Sequence, residues 1–173
     1  MSSTVQRLRA QYEAERGKSR RQAALNLQTP SSVEFYIAGW SRKTESALAD
    51  QWKGEHVSEW DWPEIFRRHN DPDRLDMAIW SLGDRLGGLG LGLVKGEYLE
   101  LRFVEGDPRP DCPLKGRRAL IMLECSALYA QARGRSELRI EPINERIATL
   151  YQQIYGFTVA TDRTGRAYYV KRV

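Results

Sequence analysis

Few residues in this chain staple or metallate a small protein. Its 173 residues include two cysteines and two histidines. Cys112 and Cys125 make no disulfide framework, and no Cys/His spacing fits a structural zinc site, so no metal is expected. There is no apolar run of about 18 residues, the length a membrane-spanning helix needs. Residues 1–27 are polar and charged and lack the apolar centre of a secretory signal. Internal repeats and low-complexity tracts are also missing. These absences predict a cytoplasmic protein with reduced cysteines and no membrane partner.

At 41% apolar content the chain can bury one core and is expected to form one domain. Its formal charge of +4 is unevenly placed. Residues 1–28 carry Arg7, Arg9, Arg16, Lys18, Arg20 and Arg21 against Glu13 and Glu15, which is six minus two and accounts for the whole excess. The expected division is a basic helical arm over residues 1–30 and a near-neutral domain over residues 31–173. Thr29-Pro30-Ser31-Ser32 forms the boundary. Such an arm suits contact with nucleic acid, tRNA or a partner protein, or a homodimer interface, whereas the domain body is not a basic nucleic-acid surface.

Periodicity and punctuation give the elements. A weakly amphipathic helix spans residues 4–27, interrupted by Gly17, and a strand follows at 33–38. Residues 44–52 and 62–69 read as helices, with Asp61 or Ser58 as available caps. Strands at 75–80 and 89–94 flank a Gly-rich turn at 83–88. Gly88-Leu-Gly90-Leu-Gly92 superficially matches a dinucleotide loop, but no helix opens after it, so a Gly-rich strand or turn is expected. A strand at 98–104, a Pro-rich loop at 105–113 and a helix at 119–132 come next. A strand at 137–141 and a helix closing on Tyr155-Gly156-Phe157 follow. The last strands, 157–161 and 167–171, join through Asp162-Arg163-Thr164-Gly165, a good hairpin turn.

One stretch carries chemistry. Leu114-Lys115-Gly116-Arg117-Arg118 lies between a strand and a long helix. Positive charge at the positive end of a helix is unfavourable by up to about 1 kcal/mol per charge unless an anion is present. Exposed N–H groups with arginines beside them therefore read as a site for a phosphate-bearing ligand. Cys125 falls in a helical pattern with Met122 and Tyr129 and reads as a buried structural thiol.

These features resemble the Gcn5-related N-acetyltransferase (GNAT) superfamily. The order of elements matches over residues 33–173, and recognisable motifs cover residues 98–157. The family's pyrophosphate signature is Arg/Gln-x-x-Gly-x-Gly/Ala. Gly116 matches it, Pro113 stands in place of Arg/Gln, and Arg118 in place of the small residue. The implied fold is α/β: a mixed, mostly antiparallel central sheet flanked by helices. The implied co-substrate is acetyl-CoA, with Lys115, Gly116, Arg117 and Arg118 at its pyrophosphate and Arg117 or Arg118 compensating for Pro113. Backbone N–H groups near Phe103 and Val104 are the implied donors to the thioester carbonyl. Asn144 is either a cofactor contact or an ordinary helix cap. Family members often protonate the leaving thiolate with a helix Tyr four positions before the Gly, where this chain has Gln152; Tyr151 and Tyr155 are the neighbouring candidates. Glu100 and Glu105 are candidate general bases, with Glu141 a third.

The acceptor is expected to meet residues 45–64. There Glu45, Asp50, Glu55, Glu59, Asp61 and Glu64 face only Lys53, interleaved with Trp52, Trp60 and Trp62. Carboxylates with aromatic walls suit a cationic amine, although the same tryptophans fit a core beneath two amphipathic helices. The expected activity is transfer of acetyl from acetyl-CoA to an amine by direct attack in a ternary complex. A protein lysine or N-terminus, a small amine and an aminoacyl-tRNA all fit. The alternative is a binding protein that keeps the fold and docks through its basic arm.

Overall fold

The computed structural model describes residues 2–141 and 145–173. Its elements are α1 (Ser3–Leu27), β1 (Phe35–Ala38), α2 (Arg42–Gln51), a 3-10 turn (Gly54–His56), α3 (Trp62–Arg68), β2 (Leu75–Ser81), β3 (Arg85–Val94), β4 (Tyr98–Gly106), α4 (Arg118–Ala132), β5 (Glu137–Ile140), α5 (Glu145–Gln153), β6 (Thr158–Thr161) and β7 (Ala167–Arg172). The strands form one seven-stranded sheet in the order β1-β2-β3-β4-β5-β7-β6. Every neighbouring pair is antiparallel except β4 and β5. This is the mixed, mostly antiparallel sheet that the family resemblance implies. No helix among the described residues is long and apolar enough to cross a membrane.

The strand period explains β3. Leu89, Leu91 and Leu93 point to one face and are buried with Trp52, Trp62, Phe66 and Trp80 under α2 and α3. Burying each such side chain contributes about 1.5–3 kcal/mol. Gly88 and Gly90 point to the other face, where α4 lies. A Cβ added at Gly88 would sit 3.0 Å from Met122 Cε, and one at Gly90 would sit 2.8 Å from Met122 Sδ. These glycines are therefore strand residues that let a helix come close, and the expected turn at 83–88 is shorter than its glycines suggest. It comprises residues 82–84, with Gly83 and Asp84 at φ +74° and +53°. Of the two expected caps, Asp61 opens α3 by accepting from the Glu64 amide, while Ser41 and Thr44 form a capping box on α2.

The N-terminal helix departs from expectation. It runs unbroken through Gly17, whose cost of about 1 kcal/mol relative to alanine is offset by docking of the helix's second half against α4 and β1. Ala23 is fully buried, and Arg20 is 5% exposed. The Arg20 guanidinium donates to the Asp76 carboxylate at 2.6 Å and to the Asp76 carbonyl at 2.8 Å. Arg16 donates to the carbonyls of Pro72 and Arg74. Two of the six basic side chains of the expected arm thus hold the helix to the domain, and only residues 2–11 are exposed throughout.

Candidate active site

β4 and β5 run side by side only from Tyr98 opposite Glu137 to Leu101 opposite Ile140. Past that point β4 still pairs with β3, with Phe103 opposite Leu91 and Gly106 opposite Gly88. The register slips between Leu91 and Gly92, so Arg102 is an extra residue on β4. A bulge of this kind bends and twists its strand, and here β4 parts from β5. Residues 102–106 consequently present a row of backbone groups with no strand partner on the β5 side among the described residues. The row faces a cleft of about 690 Å³ whose walls include Leu101, Arg102, Val104 and Glu105.

The start of α4 forms one end of the cleft through Gly116, Arg118 and Ala119. Gly116 turns the chain at φ +88°, a conformation that favours glycine. The first bond into the helix runs from the Ile121 amide to the Arg117 carbonyl at 3.1 Å. The helix has no side-chain cap and no acid in its first turn. The amides of its opening turn have no intrahelical acceptor, and its positive end is uncompensated. Arg118 lies across Gly106, where an added Cβ would collide with its guanidinium, and donates to the Asp107 carbonyl at 2.8 Å. No carboxylate lies within ion-pair distance of Arg118 among the described residues. The Asp107 carboxyl, fully buried, is already engaged by Arg85 and Arg109. Burial alone would push its pKa up; the hydrogen bonds from Arg109 and Arg85 outweigh that and hold it below the usual carboxylate range.

The other expected anion ligands separate. Arg117 turns away from the cleft, donating to the Leu27 carbonyl at 2.9 Å with its guanidinium 5.7 Å from the Phe35 ring. Its role is to fasten α1. Lys115 is exposed and forms no part of the cleft wall. Asn144 lies outside the described residues. Of the two arginines offered as compensation for Pro113, Arg118 is the one in the cleft.

Tyr151 and Tyr155 also line the cleft, with ring centroids 6.0 Å apart. Gln152, the residue at the family's spacing, is exposed and absent from the wall. One residue is about 100° of helix rotation, and that rotation carries Tyr151 inward. Tyr151 is 6% exposed, and burial, with a smaller contribution from Tyr155, pushes its hydroxyl up to about 12. Burial also raises Tyr155. Both phenols therefore stay protonated at neutral pH.

Among the carboxylates, Glu100 belongs to the paired half of β4, opposite Arg139, and is absent from the cleft wall. As a general base it is not supported, because the strand splays only after it. Glu105 lies in the wall, but its carboxylate accepts from Ser58 Oγ, from the Glu59 amide at 2.8 Å and from Trp62 Nε1 at 2.6 Å. Glu141 is at the cleft and pairs with Arg166 at 2.7 Å. Successive residues of a strand alternate sides, so the backbone N–H of Phe103, opposite Leu91, turns to β3 and that of Val104 to the free edge; the Phe103 ring stands edge-on to Trp60 at 4.7 Å. Cys125 is fully buried, which pushes its thiol up to about 12 and leaves it a structural residue.

The region expected to receive an acceptor divides in the same way. Trp52 and Trp62 are core residues, at 3% and 0% exposure. Trp60, Glu55 and Glu59 face the cleft, whereas Asp61 caps α3 and Glu64 pairs with Arg67 and Arg68. His56 also lines the cleft. Sequence reasoning passed over it because a single histidine in a loop carries no periodicity or motif.

No family model and no curated protein matches the sequence. Solved structures do match the fold. A GNAT-family acetyltransferase from Listeria monocytogenes 4b F2365 superposes with a TM-score of 0.58 at 14% identity, over 84% of this chain and 99% of the other. A GNAT-family acetyltransferase from Staphylococcus aureus Mu50 gives 0.57 at 10% identity, over 80% and 98%. The PaiA N-acetyltransferase from Thermoplasma acidophilum, solved in complex with coenzyme A, gives 0.53 at 15% identity, over 80% and 99%. The chain has the GNAT acetyltransferase fold.

Proposed function

We propose, from this fold and the geometry of the cleft, that the chain is an N-acyltransferase that uses acetyl-CoA and acetylates an amine by direct attack in a ternary complex. The observation that carries the reading is the parting of β4 from β5 after Leu101, which leaves an unpaired strand edge facing the bare start of α4. A pyrophosphate fits that end of the cleft. It would accept from the amides of the opening turn and meet Arg118, a cation with no carboxylate partner among the described residues.

When bound, acetyl-CoA supplies an activated thioester carbonyl. The backbone N–H of Val104 would polarise that carbonyl, because it faces the strand edge that β5 leaves free, whereas the N–H of Phe103, opposite Leu91, points to β3. Tyr151 would donate its hydroxyl proton to the departing sulfur, a role that burial favours by keeping the phenol neutral. Glu55, Glu59 and Trp60 would draw a cationic amine into the far end of the cleft. Glu141 and His56, both in the wall, are the candidate acceptors for the ammonium proton.

The experiment is calorimetric titration with acetyl-CoA of the wild type and of a Gly116→Glu/Arg118→Ala variant. The expected result is micromolar binding in the wild type and a loss of about 100-fold or more in the variant, with an unchanged melting temperature. Absence of wild-type binding at millimolar acetyl-CoA would reject the enzyme and leave a binding protein that docks through its exposed residues 2–11.

A further inference from the structure

Glu105, in the cleft wall, is held by three hydrogen bonds from the protein. One oxygen accepts from Ser58 Oγ and from Trp62 Nε1 at 2.6 Å, and the other accepts from the Glu59 amide at 2.8 Å. A carboxylate offers about four acceptor positions, so three of them are occupied by protein. All three donors come from one stretch of chain, residues 58–62, and Glu105 sits on the splayed half of β4.

We propose that Glu105 is a positioning residue that latches the loop over residues 53–61 to the splayed half of β4, and that it is not the general base. The inference rests on the acyltransferase reading above. The loop joins no strand ladder, and it carries Glu55, His56, Glu59 and Trp60 into the cleft. Its attachment to the sheet is made by side chains. Trp60 stands edge-on to Phe103 at 4.7 Å, and Glu105, two residues further along the same strand, takes the loop's Ser58 hydroxyl and Glu59 amide. Trp62, fully buried, fixes the far end by donating its indole N–H to the same carboxylate. Val104, whose backbone would meet the thioester, lies immediately before Glu105 in the strand. The strand segment that receives the acyl group therefore also sets where the acceptor wall stands. Attack requires the reacting atoms to be held at near-contact distance, and Glu105 fixes that spacing.

Two variants loosen the latch without touching the thioester edge. In Glu105→Gln an amide N–H₂ would oppose one of the three donors. Ser58→Ala removes one donor from a half-buried loop position. Steady-state kinetics with acetyl-CoA and spermidine as probe acceptor should show KM for spermidine raised about 10-fold in both variants. In both, kcat stays within about threefold, and the pH profile of kcat and the acetyl-CoA affinity are unchanged. Amide hydrogen exchange over residues 54–60 should quicken about 10-fold in both, with residues 98–104 still protected.

A kcat about 1,000-fold lower in Glu105→Gln, with its acidic limb flattened and Ser58→Ala behaving as wild type, overturns the proposal and makes Glu105 the base. Unchanged exchange over residues 54–60 in both variants overturns it as well, whether or not spermidine is acetylated. Failure of the wild type to bind acetyl-CoA is a separate result: it rejects the activity, while the exchange measurement still decides the latch.

Discussion

The two halves of β4 are neighbours in one strand and do opposite work. Over residues 98–101 it is paired on both sides, and Leu99 and Leu101 are 0% and 3% exposed. Over residues 102–106 one side is unpaired, every residue is at least partly exposed, and side chains line a cleft. A single bulge at Arg102 separates them. The first half holds the sheet together, and the second has given up a ladder of hydrogen bonds that a ligand can complete. On the proposed reading, stability and chemistry are thus divided along one strand.

The sharpest way to break this comparison is to remove side chains from each half. Leu99→Ala should cost about 2–5 kcal/mol in urea unfolding, as emptying a fully buried leucine site does. Val104→Ala, in the half-buried row, should cost less than about 1 kcal/mol while weakening acetyl-CoA binding. Equal destabilisation by the two would end the division. Next in size, Tyr151→Phe should lower kcat about 100-fold, near 2.7 kcal/mol, with acetyl-CoA affinity preserved in a parallel titration. A kcat within threefold of wild type would remove Tyr151 from the chemistry.

The smallest effect concerns alkaline pH. Cys125 is held up to about 12 from 9.0, and Tyr129 and Tyr151 up to about 12 from 10.0, each chiefly by burial. The unfolded chain loses these protons first as pH rises, so folded stability should fall from about pH 9 towards 12. Guanidinium melts at pH 8 and pH 10 should show the decline. Cys125→Ala should remove the part that begins near pH 9. Cys125 and Tyr129 pack in the same core as Leu99 and Leu101, so their share of this loss belongs to the paired half.

How much was legible in the sequence follows the range of the interactions. Local patterns sufficed for the order of elements and for Met122, Cys125 and Tyr129 as buried residues, because each depends on spacing within one strand or helix. The docking of α1 was hidden, since Arg20 finds Asp76 at a separation of 56 residues. The engagement of Glu105 was hidden for the same reason, its side-chain donors lying 47 and 43 residues away. Tyr151 shows a subtler limit. Counting back from Gly156 selects Gln152, yet α5 ends at Gln153 and the Phe157 amide bonds back to the Tyr151 carbonyl at 3.0 Å. The extra residue is absorbed in the turn after the helix, which leaves Tyr151 facing the cleft.

The glycines of β3 also constrain how this protein can change. Met122 occupies the volume that side chains at Gly88 and Gly90 would fill, so the three positions share one space. A larger residue at Gly90 alone should lift α4 and carry Gly116 and Arg118 with it, whereas the same change beside a shortened residue 122 should leave the helix in place. The effect of either substitution depends on the presence of the other. A mutational scan taken one residue at a time would score Gly90 as intolerant, and only the double variant would reveal that the helix can be supported from either side of the contact.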